Sequence, residues 1–183
     1  MSAAQRPSVS VAVVLEREAS PNAWEDWRFR VAEVVEQQEA FGDTPHKLHD
    51  DGKFSRWIHP GFTLELFRDE AEGYYLNLSS GRPVWFVMWR FDEADPSLAR
   101  PCAVSLSYNE AGRWLDAQER VDNVPLEPTL AEWLQAYTDE HYRPEPKKRQ
   151  RPASFVAPEG RRSHAGLPEE HPGQAAPEGG ESN

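Results

Sequence analysis

The main concentration of potential metal ligands in this sequence lies in one polar stretch. Its four candidates, with His59 further along the chain, are His46, His49, Asp50 and Asp51. Two imidazoles three positions apart can converge with carboxylates on one divalent cation. The spacing is not the H-E-x-x-H pattern, and residues 37–54 are predicted to be a loop, where such side chains also collect as solvated surface. Metal binding is therefore one hypothesis, and a solvated loop is its alternative.

Two other groups of residues suit binding to a partner. Tryptophan is enriched at interaction hot spots, and the three tryptophans that flank the predicted loop, which we expect to be the most exposed, are Trp24, Trp27 and Trp57. Their alternative role is packing. An acidic group near Glu65 consists of Asp69, Glu70 and Glu72. Paired carboxylates can perform acid–base chemistry, but at a predicted hairpin turn they are more typical of a solvated or partner-binding surface.

A basic cluster lies beyond the last predicted helix. Its members are Lys147, Lys148, Arg149 and Arg151. Such a cluster can bind an acidic protein, an anionic lipid surface or RNA, or it can simply form a solubilising boundary. It is too short to anchor the chain by itself.

Several kinds of chemistry lack the residues they need. The sequence contains no G-x-x-x-x-G-K-[ST] loop, no G-x-G-x-x-G between a strand and a helix, and no G-x-S-x-G elbow. The single cysteine, Cys102, excludes an internal disulfide framework and Cys-rich metal sites, and we expect it to be a buried, inert thiol in a reducing compartment. We assign no catalytic residue and expect no cofactor.

The charge is distributed unevenly along the chain. The net charge is −11, and residues 1–143 hold 14 basic against 25 acidic side chains. A folded part with this charge repels phosphate backbones, so direct nucleic-acid binding by it is disfavoured. A basic segment of a protein partner would suit it better, and ordinary solubility is the alternative explanation.

The composition divides the chain into three parts. Residues 1–7 are predicted to be flexible, residues 8–143 to form a single domain, and the Pro- and Gly-rich residues 144–183 to be a disordered tail. The apolar run of residues 9–15 is too short to cross a bilayer and lacks the features of a signal peptide. We therefore expect a cytoplasmic protein.

The elements expected within the domain are strands first and helices last. Strands are predicted near residues 9–16, 27–31, 62–67, 74–78, 84–91 and 102–106. Capping boxes at Ser107 and Thr129 predict two helices, the second ending before Pro144. The predicted fold class is α+β: an antiparallel, twisted or partly closed β-sheet with the two C-terminal helices packed on one face.

Several segments carry a resemblance to a known family. They are residues 64–78, Pro83 before an apolar strand, residues 105–111 and 121–125, a Trp-bearing last helix, a closing Lys/Arg cluster and the Val-x-Val-Val-x-Glu-Arg opening at residues 11–17. Over residues 9–151 the chain resembles an uncharacterised bacterial family known only as a domain of unknown function. The resemblance implies genes beside formate dehydrogenase genes, and for some members the label molybdopterin-guanine dinucleotide biosynthesis protein A. It implies no catalytic residues.

Three hypotheses follow from these observations. The first is a non-catalytic accessory protein that assists maturation or assembly of a molybdenum-dependent formate dehydrogenase by binding a subunit or maturation factor. The second is a metal-binding or molybdenum-cofactor-related enzyme. A nucleotidyltransferase is disfavoured because no glycine precedes Gly42, whereas those enzymes open with a glycine-rich nucleotide loop. The third is a regulator that contacts nucleic acid through its basic tail.

Overall fold

The computed structural model describes residues 5–22 and 24–146. In this part of the chain, seven strands and three α-helices alternate with short connections. The strands are β1 (Ser8–Ala19), β2 (Trp27–Glu36), β3 (His46–Asp50), β4 (Phe54–Glu65), β5 (Val84–Phe91), β6 (Ala99–Ser105) and β7 (Arg120–Pro125). The helices are α1 (Ala71–Ser79), α2 (Tyr108–Asp116) and α3 (Pro128–His141), with short 3₁₀ helices at Glu39–Phe41 and Arg68–Glu70.

The strands form two antiparallel sheets. The first has the order β2-β1-β4-β3 and the second the order β6-β5-β7. The edge strands β2 and β7 approach each other, and the Asp122 carboxylate of β7 accepts a hydrogen bond of 2.8 Å from the Val31 amide of β2. A side chain thereby satisfies a backbone donor at a sheet edge that would otherwise be unpaired.

The main core lies between the sheets because alternate residues of β1 and β5 point toward it. Val11, Val13 and Leu15 of β1 pack in the same cluster as Trp85 and Val87 of β5, all at most 3% exposed. Side chains of α1 and α3 complete this cluster. We call the side of the first sheet that faces this core its inner face, and the opposite side its outer face.

The predicted fold class is wrong. There are two sheets rather than one, and a third helix precedes β5. The two C-terminal helices do not form a layer on one sheet face: α2 contacts β5 and β7, whereas α3 packs mainly on α1. Nearly all of the predicted disordered tail, residues 147–183, lies outside the described residues.

The extra helix, α1, replaces the strand predicted at residues 74–78. Residues 74–78 are mostly aromatic or apolar, which favoured a strand. However, Ala71, Tyr74 and Asn77 recur every three residues and are all at most 2% exposed, as on one face of a helix. The Asn77 amide donates to the carbonyls of Val84 and Leu106 at 2.8 and 3.0 Å, and its carbonyl accepts from the Val84 amide. These bonds connect the helix to β5 and to the residue after β6.

The local capping signals were partly right. The Ser107 hydroxyl accepts a hydrogen bond from the Glu110 amide at 3.1 Å, as predicted for the start of α2. The third helix begins one residue before Thr129, with Pro128 in its first turn and no side-chain cap. The prediction of a central strand at residues 84–91 is confirmed by β5. By contrast, β3 lies inside the predicted loop, and β7 was not predicted.

Candidate functional site

The inner face of the first sheet carries charged residues where it extends beyond the apolar core. In the register of β1 and β4, Arg17 lies opposite Ser55, Leu15 opposite Trp57, and Val13 opposite His59. Paired residues share a face, so Arg17, Trp57 and His59 lie on the same side as the core residues Val13 and Leu15. The sheet therefore places a cation and an imidazole on either side of an aromatic ring.

These residues border a cavity of about 230 Å³ that we call the inner cavity. It lies between the first sheet and the segment that connects β5 to β6. Its lining residues include Leu15, Arg17, Phe29, Trp57, His59 and Leu98. The charged residues Glu16, Asp92 and Arg100 also border it. Apolar walls with a few polar groups are the usual composition of a small-molecule site.

His59 is the ionisable group at one end of the inner cavity. Its Nε2 atom is buried and has no hydrogen-bond partner among the described residues. Burial lowers the pKa of this imidazole from 6.5 to about 4, because a charged ring would lose its hydration there. The ring is therefore neutral at physiological pH, with one nitrogen free to form a hydrogen bond.

Arg17 is held in place on the other side of Trp57. Its guanidinium stacks at 4.0 Å on the ring of Trp27 and donates a 2.7 Å hydrogen bond to the Ser97 carbonyl. Its Nε atom is buried without a hydrogen-bond partner. Among the described residues, no carboxylate lies within ion-pairing distance of this guanidinium.

A second, more open depression lies next to the inner cavity, and Phe29 borders both. We call it the aromatic groove and define it by Trp27, Phe29, Trp89, Phe91 and Arg120; its volume is about 650 Å³. Phe29 lies 6.0 Å from Trp89 and 5.6 Å from Phe91, measured between ring centroids. The Arg120 guanidinium lies 4.5 Å from the Phe91 centroid. The groove thus has a preformed aromatic floor from both sheets.

Three exposed carboxylates line the edge of the aromatic groove, and we call them the acidic rim: Glu25, Asp26 and Asp95. None forms an ion pair with another described residue. Hydrogen bonds from the Ser97 hydroxyl and amide lower the pKa of Asp95, so this carboxylate stays charged. Trp24 immediately precedes the rim in sequence and is 91% exposed. Arg28 and Arg120 also line the groove, so its three carboxylates exceed its cations by one charge. The acidic rim is the part of the groove that is suited to a basic ligand.

The predicted metal ligands lie on the exposed edge strand β3 and on the turn that follows it. His46 and His49 pair with Ile58 and Arg56 on the outer face, whereas His59 lies on the inner face. The nearest His49–Asp51 contact is 3.6 Å, from Nε2 to a carboxylate oxygen. Within residues 5–22 and 24–146, no three His, Cys, Asp or Glu side chains are grouped to hold a metal ion.

The two aspartates of this group already have partners. Asp50 pairs with Lys47 at 2.7 Å and accepts the Gly52 amide, and both interactions lower the pKa of Asp50. Asp51 accepts the amides of Phe54 and Lys53, which lower the pKa of Asp51. These bonds close the turn between β3 and β4, so the carboxylates have a sufficient structural role.

The other candidates are distributed over different parts of the surface. Trp27 belongs to the aromatic groove and Trp57 to the inner cavity, where Lys47 Nζ lies 5.4 Å from the Trp57 ring. Asp69 lies in the 3₁₀ helix Arg68–Glu70 and Glu72 in the first turn of α1, and neither lines the inner cavity or the aromatic groove. Glu70 accepts the Ser107 hydroxyl and pairs with Arg113, which connects α1 to α2.

The basic cluster Lys147, Lys148, Arg149 and Arg151 lies outside the described residues. None of the described helices has the length and apolarity needed to cross a membrane.

Arg17 was not predicted as a site residue, and His59 was grouped with histidines that lie on the other face of the sheet. The alternation of β4 carried the signal for His59, because it separates position 59 from the outer-face positions 56 and 58. No local pattern indicated the cavity, since the loop after β5 comes from a distant part of the sequence.

One comparison with known proteins identifies a family. A family model described as a protein of unknown function (DUF3305) matches residues 10–151. No curated protein and no solved structure matches the chain.

Proposed function

We propose that this chain, which belongs to the DUF3305 family of unknown function, is a non-catalytic accessory protein that binds a protein partner. The observation that carries the proposal is the aromatic groove with its acidic rim and the adjacent, exposed Trp24. Aromatic side chains supply most of the binding energy at many interfaces. Unpaired carboxylates favour association with positive charge.

The proposed ligand of the groove is a basic segment of the partner. Its Lys or Arg side chains would pair with the rim carboxylates. They would not stack on the floor, because Arg17 already covers Trp27 and Arg120 already covers Phe91. The excess of acidic over basic side chains in residues 1–143 would attract such a segment over a longer range at low salt.

The partner that we propose is a subunit or a maturation factor of a molybdenum-dependent formate dehydrogenase in the cytoplasm. The support for this choice is the family resemblance of the sequence. Binding alone would fulfil such a role, since maturation factors can act by holding a client subunit, and no nucleophile or acid–base pair is required.

A capture experiment from a native-like lysate tests the proposal. The tagged full chain should recover a formate dehydrogenase subunit or maturation factor, and recovery should fall as the salt concentration rises. Trp24→Ala should reduce recovery by about tenfold, as expected for an interface hot spot.

Leu115→Ala is the matched control. Leu115 is also a large exposed apolar residue, 57% exposed, but it lies on α2. Recovery of unrelated proteins only, or equal recovery by both variants, would contradict the proposal.

A further inference from the structure

We infer that the inner cavity binds a small aromatic carboxylate, with its carboxylate at Arg17, its ring against Trp57 and a hydrogen-bonding group at His59. This site is distinct from the proposed partner surface. It lies between the first sheet and the segment after β5 and is less open to solvent than the aromatic groove.

Three polar atoms on the inner face lack hydrogen-bond partners among the described residues. They are Arg17 Nε, Ser55 Oγ and His59 Nε2, and all three are buried. Most buried polar atoms in proteins have a partner, and an unmet one is costly. Since Arg17 and His59 both line the cavity, a bound molecule can satisfy them together.

The charge of Arg17 favours an anionic ligand. Among the described residues no carboxylate forms an ion pair with the Arg17 guanidinium, whose direct contacts are an aromatic face and a carbonyl. The charges of Asp50 and Asp95 act on it only from farther away. The acidic residues that also border the cavity are engaged elsewhere: Glu16 pairs with Arg30 at 2.5 Å, and Asp92 accepts two loop amides. A partly buried, unpaired guanidinium favours an anion, and a carboxylate matches its geometry.

The distance between Arg17 and His59 favours an elongated ligand. Arg17 pairs with Ser55, which is four residues before His59 on β4. At about 3.3 Å per residue, the backbone positions of these two ends are ~13 Å apart. Leu15 and Trp57 lie between them, with Phe29 nearby. A ligand that satisfies both ends is therefore elongated, with an apolar ring in the middle.

The neutral imidazole of His59 favours an uncharged, hydrogen-bonding group at the other end of the ligand. With its pKa at about 4, the ring does not contribute a second positive charge at neutral pH. A neutral imidazole nitrogen can exchange one hydrogen bond with an uncharged group such as a phenol. The site therefore combines one cationic end with one uncharged, hydrogen-bonding end.

Calorimetric titration of the full chain with 4-hydroxyphenylacetate tests the inference. We expect 1:1 binding. Phenylacetate, which lacks the hydroxyl, should bind about 5-fold more weakly, and 4-hydroxyphenylacetamide, which lacks the charge, at least about 10-fold more weakly.

Variants of the two ends locate the binding. His59→Phe should remove the preference for the hydroxyl and leave phenylacetate binding within about twofold, whereas His49→Phe, on the outer face, should change neither. Arg17→Met should remove the preference for carboxylate over amide, and Arg17→Lys, which keeps the charge, should retain part of it. Absence of binding at millimolar concentration, or a hydroxyl preference that survives in His59→Phe, would overturn the inference.

Discussion

The unusual state of His59 predicts how the stability of the protein depends on pH. Its folded-state pKa of about 4 lies below the unfolded value of about 6.5. Between these values the unfolded chain binds a proton that the folded chain does not. Stability from this residue is therefore complete above about pH 7 and decreases as the pH falls toward 4.

The magnitude follows from the two pKa values. Because the unfolded chain takes up this proton, the unfolding free energy is ~2 kcal/mol lower at pH 5 than at pH 8. The ring is only partly buried, so solvent screening reduces the expected loss to ~1 kcal/mol. His59→Phe abolishes this pH-dependent loss of unfolding free energy. It also replaces an unpaired polar atom with an apolar ring. The variant should therefore be more stable than wild type by at least ~1 kcal/mol at pH 5.

Urea unfolding followed by tryptophan fluorescence at pH 8 and pH 5 provides the assay. Wild type should lose ~1 kcal/mol more than His59→Phe between the two pH values, and the control His49→Phe should behave as wild type. Parallel losses in wild type and His59→Phe would refute the assignment of a buried, neutral imidazole.

Three further predictions concern packing and metal binding. Asn77→Ala removes three hydrogen bonds to the backbone of Val84 and Leu106. It should lower the unfolding free energy by ~3 kcal/mol in urea denaturation. A loss below ~1 kcal/mol would contradict the role of Asn77 in connecting α1 to β5. Gly73→Ala should lower the unfolding free energy by ~1–2 kcal/mol, because the new Cβ would lie 2.0 Å from Ser107 Oγ. The control Gly112→Ala, in open space on α2, should raise the unfolding free energy by ~0.5–1 kcal/mol. A change of the same sign in both variants would refute the packing explanation. Adding Zn²⁺ should leave the melting temperature unchanged, and a rise that depends on His49 would restore the metal hypothesis.

The sequence predicted those elements whose signals are local. The Ser107 cap marked α2 because its hydroxyl bonds an amide three residues away, and the uninterrupted apolar run of residues 84–91 marked β5. The aromatic and apolar composition of residues 74–78 was misleading, since burial of Tyr74 and Asn77 against other elements decides between strand and helix there. The polar strands β3 and β7 have little apolar signal and are defined by pairing with β4 and β5.

The candidate site was predictable only in part. Trp24 and Trp27 were identified as interaction residues from their type and position, and they lie at or beside the aromatic groove. Trp89 and Phe91 come from the other sheet, so their contact with Phe29 depends on how the two sheets pack. No sequence pattern specifies that packing, and for the same reason the inner cavity was not predicted.

The most direct test of the accessory role is formate dehydrogenase activity, together with the molybdenum content of that enzyme, in a strain that lacks this gene. The account predicts that both fall in the deletion strain, that the wild-type gene and Leu115→Ala restore them, and that Trp24→Ala restores them poorly. Normal activity and normal molybdenum content in the deletion strain would contradict it.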